Sequence, residues 1–214
     1  MQNTQKISGG WPLSLKYVPF FILLLFIWGC QSAAEKNLWF IDCDKGDFDQ
    51  CGYVDAAGNI KINYGKYPLC FTDTFKTYAI VLRPGIGYIG INKKEEILYK
   101  VLTYDNGPDY AEDGYFRIIE NLKIGYVDVA TGQVKIPPTF TAAMPFHNKY
   151  APVCPDCIIQ KDGDYNRWVG GKWGLIDKKG KIVVEPKFDD IVEIGADNRV
   201  KVREGIYEKW IDIK

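Results

Sequence analysis

A short pattern recurs about every 36 residues along this chain, and this recurrence restricts the fold more than any other feature of the sequence. Most copies hold a few apolar residues, an acidic or amide residue, a turn with glycine and a second apolar run. Aligned on the acidic or amide residue, the copies lie at Asp55, Asn92, Asp128, Asp177 and Asp212. The intervals are 37, 36, 49 and 35 residues, so the third contains an insertion of 49 − 36 = 13 residues. Such a chain is expected to form an array of like units.

Each copy is predicted to form a β-hairpin. In the best-preserved copy, a strand at 173–176 leads into a turn at 177–180, and an alternating run at 181–184 returns. The turn aspartate would accept hydrogen bonds from the backbone, and the turn glycine would take a positive φ. The Pro-x-Phe at 186–188 is expected to end the ladder, because proline has no N–H donor, and its phenylalanine offers an apolar contact. Since no segment shows a helical period, the fold class is predicted to be all-β.

The run Lys-Trp-Gly-Leu-Ile-Asp-Lys-Lys-Gly at 172–180 resembles the consensus of the WG (KWG) repeat family. The resemblance covers roughly residues 50–214, and other copies place Tyr53, Tyr88 or Tyr126 near the tryptophan position. It implies a β-rich array of about four hairpin or meander units without a known common catalytic activity. A propeller-like ring is slightly favoured over an open solenoid. The repeat positions expected to act structurally are Trp173, Gly174, Asp177, Gly180, Tyr126, Asp128, Tyr53, Asp55 and Trp210.

The N-terminal segment has the features of an export signal. Residues 1–16 carry two lysines and no acid, and the apolar run at 17–28 is too short to cross about 30 Å of hydrocarbon as a helix. The end of this run, Ile-Trp-Gly followed by Cys30, resembles the lipobox of bacterial lipoproteins. That resemblance implies cleavage before Cys30, a diacylglyceryl thioether on its sulfur and a fatty acid such as palmitate on its amino group. An uncleaved membrane anchor or a coincidental cysteine is the alternative.

These features predict a lipoprotein signal peptide at 1–29, a lipidated tether at 30–38 and a WG-repeat β domain at 39–214. Gln31, directly after the lipidated cysteine, is typical of sorting to the outer membrane. Removing the two signal lysines leaves 27 − 2 = 25 basic against 27 acidic residues, a net charge of −2. A slightly acidic mature chain is not expected to bind nucleic acid.

Few side chains are available for nucleophilic catalysis. The three serines all lie at or before Ser32, so the repeats contain no serine nucleophile. His147 is the one histidine, and with Cys154 it forms only a weak candidate for a thiol–imidazole pair. Acidic residues are plentiful, but no pair of them can be placed at the separation that a glycosidase needs. We therefore predict no catalytic residue and no cofactor.

Six cysteines bear on the compartment and the fold. If Cys30 carries lipid, five remain in an oxidising space, and five choices of odd cysteine times three pairings leave fifteen disulfide frameworks. The favoured pairs are Cys154 with Cys157 and Cys43 with Cys51, which leaves Cys70 free. The open alternatives are a redox-active C-x-x-C at 154–157 and a zinc site that joins these four thiolates.

Two further groups of residues have a structural and a functional interpretation. Asp42, Asp44, Asp47 and Asp49 place oxygen ligands at spacings that can wrap calcium, but the glycine position does not fit an EF-hand, and a solvated turn is favoured. No metal is therefore predicted. Trp168, Trp173 and Trp210 are able to stack on sugars, but two of them occupy repeat positions, which favours packing in the core.

The sequence thus predicts an exported protein, lipid-anchored in the bacterial envelope and sorted to the outer membrane, that binds without catalysis. Its expected partners are the membrane, through the lipid, and an envelope protein or glycan. The alternatives are an envelope hydrolase that uses carboxylates and an inhibitor or immunity-type lipoprotein with one tight cognate partner.

Overall fold

The computed structural model describes residues 37–44, 50–163 and 165–214, and this part of the chain is built from β-strands. It contains no α-helix, so none of its segments is a helix long and apolar enough to cross a membrane. The all-β prediction is confirmed. The predicted signal peptide, the lipidation residue Cys30 and most of the tether lie outside the described residues.

One antiparallel sheet corresponds to each copy of the repeat. The first sheet consists of β1 (Trp39–Cys43), β2 (Cys51–Asp55), β3 (Ile60–Ile62) and β4 (Thr74–Phe75), and the second consists of β5 (Ala79–Arg83), β6 (Gly87–Ile91) and β7 (Ile97–Lys100). A small ribbon of β8 (Thr103–Tyr104) with β9 (Gly107–Pro108) follows. The third sheet consists of β10 (Tyr115–Glu120), β11 (Lys123–Asp128) and β12 (Val134–Phe140). The fourth sheet consists of β13 (Ala142–Ala143), β14 (Tyr150–Cys154), β17 (Trp173–Asp177) and β18 (Ile182–Phe188). The fifth consists of β19 (Asp190–Ile194), β20 (Arg199–Glu204) and β21 (Tyr207–Asp212). The insertion forms the hairpin β15 (Ile158–Asp162) with β16 (Tyr165–Val169).

The recognisable motif of each copy lies on one strand, which we call the motif strand: β2, β6, β11, β17 or β21. Each motif strand pairs with a strand that precedes it, and the first four also pair with the strand that follows. The motif strand is therefore the middle of a three-stranded meander in these units. Within the described residues, β21 pairs only with β20, as expected for the shortened fifth copy.

The turn after the motif strand has the predicted chemistry. In the fourth unit the Asp177 carboxylate accepts hydrogen bonds from the backbone N–H groups of Lys179 and Lys181, at 2.8 and 2.9 Å. The N–H of Gly180 donates to the Asp177 carbonyl, and Gly180 has a φ of 80°. Asp55 and Asp128 accept backbone hydrogen bonds in the same way in their own turns. These contacts span at most four residues, which explains why the sequence alone predicts them.

The motif glycine is required because the next strand passes very close to it. A Cβ on Gly174 would lie 2.3 Å from the carbonyl oxygen of Val184 and 2.7 Å from the nitrogen of Pro186. The ladder between β17 and β18 shifts register at this point, and it resumes where Trp173 faces Phe188. The prediction that Pro-x-Phe ends the ladder is therefore wrong. The bulge carries the proline, which has no N–H to donate, and the strand continues to the buried phenylalanine.

The core lies between neighbouring sheets. Tyr126 packs in a cluster with residues of the fourth unit, whereas the next residue, Val127, packs in a cluster with residues of the second unit. In the fourth unit, Ile176 likewise packs in a cluster with residues of the third unit, whereas Leu175 packs in a cluster with residues of the fifth unit. Because successive side chains of a strand point to opposite faces, a motif strand that is covered on both faces is apolar at consecutive positions.

The core clusters also follow the order of the units along the chain. One large cluster joins the first and second units, and each later cluster joins the next pair of neighbours. No cluster of the described residues joins the first unit to the fifth. This is the packing of an open stack of repeats, in which each unit contacts its neighbours. It does not support the closed ring that the sequence slightly favours.

All the turns after the motif strands lie along one side of the array, which we call the Asp-turn edge. In the second, third and fourth units the turn contacts the beginning of the first strand in the preceding unit. The contacts join Lys93 to Asn37, Val129 to Tyr78, Thr131 to Thr77, and Lys178 to Asp113. Tyr150, opposite Asp177, likewise contacts Asn198, which precedes β20. The same edge therefore continues from the first unit to the fifth.

The turns that lead into the motif strands consequently lie along the opposite side, which we call the tip edge. In the second, third and fifth units these turns are short and lie at 84–86, 121–122 and 205–206. In the fourth unit the connection is the insertion between β14 and β17, which begins and ends on the tip edge. Residues 45–49 of the connection in the first unit lie outside the described residues.

Candidate functional site

An aromatic groove of about 490 Å³ lies among the described residues. Its lining comes from residues 71–73, which directly precede β4, and from residues 107–111 around β9. The other lining residues are Tyr78 and Ile80 at the beginning of β5, Phe116 on β10 and Val129 of the third turn. A second hollow of about 340 Å³ shares Thr72, Tyr78 and Val129 with it. The two hollows therefore lie side by side, with these three residues at their common border.

Aromatic rings form much of the groove surface. Tyr78 stacks on Phe116 with the ring centroids 5.9 Å apart, and its hydroxyl donates to the Val129 carbonyl, which fixes the ring. Phe71 is 41% exposed and packs edge-on against the buried Tyr88. Tyr110 is 59% exposed. Flat rings held in place with their faces accessible suit a ligand that has apolar faces of its own.

A buried ion pair supports one wall of the groove. Asp109, which lines the groove, accepts hydrogen bonds from the Arg117 Nε at 3.0 Å and Nη2 at 2.5 Å. It also accepts from the Arg117 backbone N–H at 2.7 Å, and the guanidinium donates to the Ala143 carbonyl at 2.9 Å. Both side chains are at least 97% buried. The pair thus joins the connector at 107–111 to strands of the third and fourth units.

The sequence-predicted tyrosines support the connectors between units. Tyr53 and Tyr126 are fully buried, and each lies one residue after the motif glycine, where the fourth unit has Leu175. The hydroxyl of Tyr53 donates to the carbonyl of Thr72, and that of Tyr126 donates to the carbonyl of Met144. Each tyrosine therefore ties its motif strand to the chain 18 or 19 residues further on. Burial raises the pKa of both phenols.

The two repeat tryptophans differ from each other. Trp173 is partly buried against Trp168 and the Cys154–Cys157 disulfide. This arrangement is close to the packing in the core that the sequence predicts. Trp210 is 41% exposed and lies beside the Arg199 guanidinium. Core packing is therefore the wrong prediction for Trp210, because β21 has no following strand among the described residues to cover it.

The structure contains the two favoured disulfides, Cys43–Cys51 and Cys154–Cys157. Cys154 and Cys157 are buried between strands, so this pair has neither the helix nor the exposure that a redox C-x-x-C requires. Since all four sulfurs are oxidised, they do not supply thiolates for zinc, and Cys154 is no nucleophile for His147. No group of metal-ligating side chains occurs among the described residues. Of the acidic cluster, Asp42 accepts from the Tyr64 hydroxyl, whereas Asp47 and Asp49 lie outside the described residues.

Among the described residues, Cys70 is the one cysteine outside a disulfide, and burial raises the pKa of its thiol to about 11. We expect iodoacetamide at pH 8 to alkylate it roughly 100-fold more slowly in the folded protein than a cysteine with an ordinary pKa near 8.5. In urea without reductant, Cys70 should react at the ordinary rate while the four disulfide cysteines stay unlabelled, as peptide mass spectrometry would show. Fast labelling of Cys70 in the folded protein would contradict this assignment.

Sequence reasoning missed the residues that form the groove. Phe71 and Tyr110 lie in connectors between the copies, so the alignment of repeats does not select them. They could have been recognised as aromatic residues in connectors that are rich in glycine, proline and acidic residues. The repeat itself requires no aromatic residue in these connectors.

The comparisons agree with the later part of the array. The family model for the WG containing repeat matches residues 124–154 and 173–210. These segments run from β11 to β14 and from β17 to β21, and thus begin at or within a motif strand. No curated protein matches the sequence.

Proposed function

Since the chain is a WG repeat-containing protein, we propose that it is a lipid-anchored, non-catalytic binding module of the bacterial envelope. The observation that carries the binding role is the aromatic groove. Phe71 and Tyr110 present exposed rings at a groove whose other members are fixed by stacking and hydrogen bonds. Because the groove is preformed, little conformational entropy is lost when a ligand binds, and binding does not require the structure to close around the ligand.

The groove is best suited to an envelope glycan. A sugar ring offers an apolar C–H face to an aromatic ring and hydroxyl groups to polar neighbours at its edge. Thr72 and Asp73 place a hydroxyl and a carboxylate beside Phe71 in the lining. The other carboxylate, that of Asp109, is already engaged by the Arg117 guanidinium. This engagement favours binding over hydrolysis by a pair of carboxylates.

The anchor is proposed from the segment before the described residues. Cleavage before Cys30 and acylation of this cysteine would leave only residues 30–36 between the lipid and Asn37. Mass spectrometry of the membrane fraction should find Cys30 as the first residue, with a diacylglyceryl thioether and an N-acyl group. Cys30→Ser should release the repeats from the membrane fraction. A chain that retains residues 1–29, or an unmodified Cys30, would contradict the anchor.

Binding is tested by presenting the purified full-length protein in detergent with a panel of cell-envelope glycans. We expect one class of glycan to be retained without a change in its mass, and Phe71→Ala or Tyr110→Ala to weaken retention at least about tenfold. Leu98→Ala is the matched control, because Leu98 has nearly the same exposure as Phe71 and does not line the groove. Shortened glycan products would instead indicate a hydrolase. Retention of no glycan by a correctly folded protein would overturn the glycan proposal.

A further inference from the structure

The aromatic groove contains a carboxylate that no other described residue engages. Asp73 and Asp109 are the two charged residues that line the groove among the described residues. The Arg117 guanidinium neutralises Asp109, whereas the exposed Asp73 side chain forms no hydrogen bond or ion pair with the described residues. The groove therefore has a negative charge that is available to a ligand.

Aromatic rings lie in the same lining as this carboxylate. Phe71 precedes Asp73 by two residues and Tyr110 lies in the connector around β9, and both rings are exposed. The face of an aromatic ring attracts an ammonium group, and proteins bind quaternary ammonium ligands between such rings. A carboxylate beside the rings adds a Coulomb attraction for the same cation. The aromatic groove thus suits an ammonium group.

The second hollow has the opposite charge. Its charged residue is Lys76, an exposed side chain that forms no hydrogen bond or ion pair with the described residues. Thr72 Oγ1 accepts from the Ile80 N–H at 2.9 Å, so its own hydroxyl hydrogen is available to a ligand. Thr74 also lines this hollow, and its hydroxyl has no hydrogen-bond partner among the described residues. One ammonium group and two hydroxyl donors suit an anion such as a phosphate group.

The two unpaired charges are held close together by β4. Asp73 directly precedes this strand and Lys76 directly follows it, so their Cα atoms are at most about 11 Å apart. The strand is fixed by its pairing with β1 and by the fully buried Phe75. The two hollows also share three lining residues. A ligand that satisfies both charges therefore has to carry an ammonium group and an acidic group within one small unit.

From these observations we propose that the site binds a zwitterionic substituent of an envelope glycan. Its ammonium group lies in the aromatic groove beside Asp73, and its phosphate group lies in the second hollow beside Lys76. A ligand with only one of these charges leaves the opposite side chain unpaired. This inference rests on the proposed glycan-binding function and names the chemistry that decides which glycan is retained.

The test compares one glycan with and without a phosphocholine substituent, each immobilised and presented to the purified full-length protein in detergent. We expect the substituted glycan to be retained at least about tenfold more tightly. Free phosphocholine should displace the protein at concentrations at least about tenfold lower than choline or inorganic phosphate requires. Asp73→Asn and Lys76→Gln should each weaken retention at least about tenfold, because each leaves one charge of the substituent without its partner.

Glu185→Gln and Lys94→Gln are the matched controls for these two variants. Both side chains are exposed, form no ion pair with the described residues and line neither hollow, so retention should not change. Asp73→Lys combined with Lys76→Asp exchanges the two charges without changing the net charge. This double variant should lose the preference for phosphocholine, and an unchanged urea midpoint would show that it is folded.

The outcomes separate this inference from the glycan proposal. Equal retention of the two glycans, or full retention by both charge variants, would overturn the zwitterion site and leave the glycan-binding role standing. Retention of neither glycan by the folded protein would contradict both. Immobilised glycerophosphocholine, the headgroup of a phospholipid, distinguishes the source of the group. Retention on this headgroup but not on the substituted glycan would support the zwitterion site and contradict the glycan proposal.

Discussion

Replacing Gly174 with alanine is expected to lower the free energy of unfolding by about 3 kcal/mol. The added methyl carbon would lie 2.3 Å from the Val184 carbonyl oxygen, well inside contact distance. The neighbouring backbone is poorly able to move away, because Leu175 and Val184 are both buried in the cluster between the fourth and fifth units. The strain should therefore spread into two sheets rather than remain local.

Gly58→Ala is the matched control for this substitution. Gly58 has a φ of 81° and no atom within 4 Å of its ideal Cβ position, so alanine there meets only the conformational cost, about 1 kcal/mol. Equilibrium urea unfolding of both variants and the parent would separate the two effects. Equal losses of stability in the two variants would show that close approach is not the reason for the motif glycine.

The features that the sequence predicts well are those that depend on near neighbours. The turn at 177–180 is fixed by hydrogen bonds from Lys179, Gly180 and Lys181 back to Asp177, all within four residues. The repeat period similarly identifies each motif strand, because the same local pattern recurs. Local determinants of this kind are present in the sequence itself and need no knowledge of packing.

The features that the sequence does not predict depend on residues far apart in the chain. Proline was expected to end the ladder, but the bulge opposite Gly174 allows the strand to continue to Phe188, which faces Trp173. Burial at the repeat positions also depends on the next unit. Tyr126 is fully buried between two sheets, whereas Trp210 on the last described strand is exposed. A pattern that recurs along the chain does not show which copies have a neighbour on both sides.

The groove shows the same limit more strongly. Its exposed rings, Phe71 and Tyr110, are 39 residues apart and belong to connectors that do not repeat. Only the stacking of the first three units brings these connectors to one groove. In this array the repeated residues determine the framework, and the residues between them form the candidate binding site.

The second large effect is expected from Asp109→Ala, which should destabilise the protein by about 3–5 kcal/mol. The substitution leaves the buried Arg117 guanidinium without its counter-charge, and the Arg117 backbone N–H loses its acceptor. Such a group is costly in the interior because water does not replace the lost partner. Urea unfolding monitored by tryptophan fluorescence would measure the loss. A loss below about 1 kcal/mol would show that water reaches the guanidinium.

A double variant separates the cost of an unpaired charge from the value of the pair. Asp109→Leu combined with Arg117→Met replaces the ion pair with apolar side chains of similar size and should recover about 2 kcal/mol relative to Asp109→Ala. It should not restore full stability, because the Arg117 backbone N–H and the Ala143 carbonyl still lack their partners.

The same pair connects stability to the proposed binding role. Asp109 lies in the connector that carries Tyr110, and Arg117 holds this connector against β10. The double variant should therefore bind the retained glycan more weakly even under conditions where it is fully folded. Unchanged retention by the folded double variant would mean that the apolar side chains position Tyr110 as well as the ion pair does. In that case the ion pair stabilises the fold without shaping the groove.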